Sequence, residues 1–116
     1  MIEVALKEYL ELNLDGVPVV LEKPKTPPQK YVVLRLVDGG LIDHIDAATF
    51  FVDIFADSLY VAAELRDQIK DILLNATELG GIAHAGLGGE RSNLDTANHV
   101  YVYELTYNFY YYREEI

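Results

Sequence analysis

The chain has 116 residues, 51% of them hydrophobic, and its 19 acids against nine bases give a formal net charge of −10. That length fits one domain with a single core, and that hydrophobic share excludes a disordered tail. An acidic balance of this size repels nucleic-acid phosphates and anionic lipid, so salt-sensitive DNA binding is not expected, although passive contact along a DNA path stays open.

Residues 2–13 read as a helix, with Ile2, Ala5, Leu6, Tyr9 and Leu12 or Asn13 at helical spacing. Asp15-Gly16 ends it, the glycine being free to take a left-handed conformation. "VPVVLE" (17–22) is a short β-rich run that Pro18 confines to a sheet edge or a strand start. All four prolines fall between Pro18 and Pro28, so "KPKTPPQK" (23–30) reads as an extended, semi-rigid arm. "YVVLRLV" (31–37) is a strand, "DGGL" a turn, and 43–56 a second long strand, together an antiparallel hairpin with Phe51 expected in the core.

Residues 57–79 give the strongest helix pattern, with a stripe of Ala62, Leu65, Ile69, Ile72, Leu73 and Ala76. Asp57 or Ser58 can cap its start and Gly80-Gly81 can end it. A glycine-rich stretch, 80–95, follows as a weak strand or a flexible loop with bulges. The final strand, 97–112, holds six of the nine tyrosines. Period-two alternation sends Tyr101, Tyr103, Leu105, Tyr107, Phe109 and Tyr111 to the core, and Tyr110 and Tyr112 to the other side. The order α-β-β-β-α-β-β, without βαβ alternation, predicts one α+β domain. Its antiparallel or mixed sheet of four to five strands packs against two helices.

Catalytic and metal-binding chemistry finds little support. The glycines lack GK[ST] and GxGxxG spacing and lead into a strand, unlike a phosphate-binding loop. His44, His84 and His99 form no helical ligand pair, and His44-Ile45-Asp46 offers too few ligands for a metal. There is no GxSxG and no cysteine, which leaves the redox compartment open and cytosolic synthesis as the default. No cofactor, metal or catalytic residue is expected. No apolar run reaches the ~18 residues of a membrane span, and acids interrupt the opening segment, so no membrane partner or secretory signal is expected. Tyr110 and Tyr112 remain open between ordinary strand surface and protein–protein contact, which tyrosine's large area and polar tip suit.

Taken in order, these segments resemble the small α+β tail terminator or tail completion proteins of long-tailed bacteriophages. The resemblance runs from "VPVVLEKPKTPPQKYVVLRLVDGG" through "HIDAATFFVDIFADSLYVAAELRDQIKDIL", with its Ala56-Asp57-Ser58 helix start, to "SNLDTANHVYVYELTYNFYY". It implies a virion protein made in the cytoplasm of a bacterial host, not an enzyme. Subunits would form a ring, typically a hexamer, on the tail end, contacting the tail-tube protein and a head-completion or connector protein. DNA would pass through without specific binding. A ring needs two unlike surfaces per subunit. Lys25, Thr26, Pro27 and Pro28 of the arm, Leu87 and Arg91 of the glycine-rich segment, and Tyr110 and Tyr112 are the candidate contacts. The competing reading is a small ligand-binding or regulatory α+β module that dimerises through its sheet.

Overall fold

Side-chain alternation along one central strand decides how the chain folds. The computed structural model describes all 116 residues. Helix α1 (Ile2–Asn13) is followed by β1 (Val19–Val20), β2 (Lys30–Ile42), β3 (Ile45–Ala56), α2 (Leu59–Leu74), β4 (Ile82–Asp95) and β5 (Val100–Tyr111), with 3-10 turns at Ala76–Leu79 and Arg113–Glu115. The fold is α+β, in the expected order α-β-β-β-α-β-β. Five strands lie in the order β1-β2-β3-β5-β4, with β1 parallel to β2 and every other pair antiparallel.

In β3, Ala48, Phe50, Val52, Ile54 and Ala56 are buried, and all but Ala56 join the main core with Val32 and Leu34 of β2 and Leu105, Tyr107 and Phe109 of β5. Both helices close this one face, α1 with Ile2, Leu6 and Leu10 and α2 with Leu65, Ile69 and Leu73. The aromatic phase expected for β5 is present, with Tyr101, Leu105, Tyr107 and Phe109 buried, but Tyr103 and Tyr111 are only partly buried at the margin of the core. Phe51 is not a core residue. It sits half-buried on the opposite face, its ring 5.1 Å from the Arg35 guanidinium. In "TFFV" either phenylalanine could point inward, and the register Leu34↔Val52 and Leu36↔Phe50 settles it for Phe50.

Three further expectations change. Residues 38–41 are not a turn, because β2 runs on through them to Ile42. The reversal is at Asp43 and His44, both with positive φ (49° and 69°), the pair of left-handed residues a two-residue I′ hairpin requires. A bulge at Val37 lets β2 shift phase and continue pairing, with Gly39 and Gly40 opposite Ala48 and Ala47. On α1 the buried column is Ile2, Leu6, Leu10 and then Leu14, while Leu12 is 85% exposed. Steps of four keep those residues on one stripe, and position 12 falls away from it. Helix α2 stops at Leu74, short of Leu79. The Asn75 N–H bonds the Ile72 carbonyl, a three-residue step that tightens the chain into the 3-10 turn before Gly80 and Gly81, both at positive φ. Ser58 is the residue that caps α2, its hydroxyl accepting from Val61 N–H at 3.4 Å. The Tyr9 hydroxyl, 3.0 Å from the Asn75 carbonyl and 3.3 Å from that of Ile72, donates there and ties α1 to the end of α2.

The glycine-rich segment is a strand along nearly all its length, paired with β5 from Ile82↔Tyr111 to Asp95↔Val100. Bulges at Ala83 and Gly88 break the register. At Gly88 a Cβ would lie 2.9 Å from the side-chain amide nitrogen of Asn108, so any larger residue there must displace that amide.

Phe50→Ala should cost about 3–5 kcal/mol in urea denaturation, the usual range for a buried phenylalanine. Phe51→Ala should cost clearly less, and equal losses would overturn the assigned phase. A second test uses Tyr107. Burial first, then Glu90 and Asp71, pushes its phenol up to about 12. Unfolded, the same phenol ionises near ~10, so its share of stability is fully present below that pH and is lost as pH rises towards the folded value. Tyr107→Phe should therefore flatten the fall in unfolding free energy across that alkaline window; an unchanged slope would count against the assignment.

Candidate interaction surfaces

With both helices on one face, the other face of the sheet carries the polar residues of four strands. Row by row, the register sets Val33, Asp53, Glu104 and Arg91 side by side, with Arg35 in the next row. Arg35 Nε donates to Asp53 Oδ2 at 2.6 Å and its Nη2 to Glu104 Oε2 at 3.1 Å. Arg91 Nη2 reaches the other Glu104 oxygen at 2.9 Å. Burial pushes the Asp53 carboxyl above its ordinary value, opposed by the Arg35 hydrogen bond and reinforced by neighbouring Glu104. Burial also acts upward on Glu104, but hydrogen bonds from Arg91 and with Asp53 outweigh it and hold that group low. These side chains, with Phe55, Ser92, Asn93 and Val102, line a cleft of about 480 Å³. Two arginines balance two carboxylates, so the cleft is neutral. It works as a clamp across the strands.

The residues expected to make contacts are scattered. Lys25, Thr26, Pro27 and Pro28 lie exposed on the arm. Pro27 and Pro28 border a cleft of about 200 Å³ with Tyr31, Phe55, His99 and Val100, where Tyr31 and Phe55 stack at 4.6 Å and Lys23 sits over the Phe55 ring. Tyr110 lies at the other end of the open face, about 27 Å from Val102 at ~3.4 Å per residue, its ring 5.3 Å from that of His84. Tyr112 follows β5, anchored through its N–H to the Gly81 carbonyl. Both tyrosines are exposed, as expected of a surface role. Leu87 and Arg91 are on the outermost strand, β4, and both are exposed. His44 sits exposed in the hairpin turn, while Asp46 is taken by Arg113 at 2.6 Å. No cluster of three His, Cys, Asp or Glu side chains could hold a metal, and no helix is long and apolar enough to cross a membrane.

A feature that escaped the sequence is the outer edge of β2. Strand β1 covers it only at Val32 and Val33. Beyond them the edge is unpaired, and Leu36, Val37, Leu41 and Ile42 are exposed along it. Reading 38–41 as a turn hid it, although Leu41-Ile42 resume the apolar run after the glycines. At the opposite side of the sheet β4 leaves a second free edge, exposing Leu87 and Leu94.

A scan against models of protein families finds no match, and a search among curated proteins finds none.

Removing Arg35 would leave Asp53, which is 6% exposed, short of its closest cation. Arg35→Met should cost about 1–3 kcal/mol near neutral pH, the penalty for a buried polar group left unsatisfied. Arg91, on a far more exposed bridge, should cost at most about 1 kcal/mol as Arg91→Met. The Arg35→Met loss should shrink under acid conditions, where Asp53 can take a proton and needs no cation. Urea midpoints across pH would test both, and equal losses for the two variants would refute the ranking.

Proposed function

We propose that this chain is a self-assembling structural subunit of a long-tailed phage or prophage, capping the tail tube as a ring and joining it to the head connector. The observation that carries the reading is the pair of unlike free strand edges at opposite sides of one sheet, β2 exposing Leu36, Val37, Leu41 and Ile42 and β4 exposing Leu87 and Leu94 among polar residues. A ring built from head-to-tail contacts needs two different surfaces facing away from each other, whereas a two-fold dimer needs one self-complementary patch. The segment order that resembles tail terminators supports the same reading. So does the charge of −10, since a channel that passes DNA works best without gripping it. On this reading the ring is a hexamer in the virion neck, assembled in the host cytoplasm and seated between the tail-tube and head-completion proteins.

Native mass spectrometry of the purified chain, alone and with tail tubes, tests it. A closed oligomer, six copies on this reading, is the expected result. A chain that stays monomeric or stops at a dimer in both settings would overturn it. Tyr110→Ser with Tyr112→Ser should weaken ring formation or tail attachment while leaving the urea midpoint close to the parent. Early unfolding with normal assembly would instead make these rings part of the fold.

A further inference from the structure

We propose that the free edge of β2 hydrogen-bonds antiparallel to the free edge of β4 in a second copy of this chain, so that the sheet continues from subunit to subunit. The inference rests on the ring reading above and names the surface that would build the ring.

Backbone direction is the first argument. The long strands alternate along β2-β3-β5-β4, so β4 runs opposite to β2. A neighbour related by rotation about an axis along the strands therefore brings an antiparallel pair together.

Hydrogen-bond phase is the second. Val32 N–H bonds outward to the Pro18 carbonyl, away from β3. Groups alternate sides along an antiparallel strand, so Ile54 opposite it turns to β5, Tyr103 turns back to β3, and Ser92 points off the sheet. The Tyr112 N–H bond to Gly81 falls on the side this phase requires. Continuing in twos, Leu36 on β2 and Glu90, Ser92 and Leu94 on β4 present unpaired backbone groups to solvent.

Sequence chemistry is the third. Edge strands in natural proteins are commonly blunted by lysine or proline. Neither occurs from Leu34 to Ile42 or from Ile82 to Asp95; the bulges at Val37, Ala83 and Gly88 protect the edges locally and leave the regular stretches between them open. Leucines at 36, 41, 87 and 94 are exposed there instead.

Charge is the fourth, and it favours a second copy over a foreign partner. Asp38 has no ion-pair partner within the chain, and Arg91, held to Glu104 through one guanidinium nitrogen, leaves a side chain that is 78% exposed. Both lie on the open face with backbone groups turned into their own sheet. Antiparallel pairing can therefore set them opposite each other as a close, non-hydrogen-bonded pair.

Leu36→Pro and Ser92→Pro each delete one outward N–H while sparing the bonds within the sheet. Each chain, alone with tail tubes or in solution, should lose the ring and elute as a monomer, with native circular dichroism. Mixed together, each keeps one good edge, and the pair should form a one-to-one dimer that grows no further. Leu36→Lys with Leu41→Lys, which leaves the backbone untouched, should behave as Leu36→Pro does. If the parent assembles and the variants do too, edge pairing is wrong while the ring reading stands. If Leu36→Pro alone blocks assembly and Ser92→Pro does not, the contact is a two-fold β2–β2 pair and the proposal falls. A parent that stays monomeric throughout overturns both.

Discussion

Every backbone N–H and C=O in a sheet needs a partner, and this sheet meets that demand completely only at its centre. Strands β3 and β5 have a neighbour on each side; β2 and β4 have one along most of their length. The two-residue β1 covers only a small part of β2. The helices do not make up the difference. They lie on one face, over Phe50, Val52, Ile54 and Leu105, and leave the edges to water. The molecule is elongated, 47 × 26 × 24 Å, because strands of 13 and 14 residues at ~3.3 Å per residue set its long axis.

The two faces are stabilised by different physics. On the helix side, apolar burial dominates, with Phe50 and Phe109 packed edge to face at 5.8 Å. On the open side there is no second layer. There, charged hydrogen bonds from Arg35 and Arg91 to Asp53 and Glu104 cross from strand to strand, and Arg35 also covers the Phe51 ring. Such pairs offset the desolvation of the carboxylates more than they add net stability, but they fix register. A one-residue slip would separate Asp53 from Arg35 and turn Phe50 to solvent. The polar clamp and the apolar core therefore select the same alignment.

Sequence periodicity made most of the fold legible. Helical spacing identified both helices, and alternation in β5 sorted its tyrosines correctly. The failures share a cause. At Phe50-Phe51 two adjacent rings make the period-two phase ambiguous, and only pairing with β2 resolves it. At Asp38-Gly39-Gly40 local turn chemistry pointed to a reversal, but the bulge at Val37 and pairing with Ala47 and Ala48 carried the strand through. In β4 the glycine content left a weak strand and a loop both open, and only pairing with β5 makes it a strand. The surface was less legible still. Arg35, Asp53, Arg91 and Glu104 come from four strands, and no local pattern shows that they meet. Exposed edges are likewise a property of strand order, which periodicity does not give.

Under the proposed pairing, the bulges decide what kind of assembly results. Head-to-tail contacts close into a ring when the rotation per subunit divides a full turn, and otherwise continue as a filament. Flat, regular edges favour open growth. Here each edge strand is interrupted, at Val37 in β2 and at Ala83 and Gly88 in β4. A bulge bends its strand and increases local twist. Only limited regular stretches are left free to pair, Leu34–Leu36 and Asp38–Ile42 on β2 and Gly89–Asp95 on β4. The bulges thus restrict the length of any shared ladder and impose curvature on both sides of the joint. A chain with two free strand edges can then reach a finite assembly, with the −10 charge of each copy opposing further stacking.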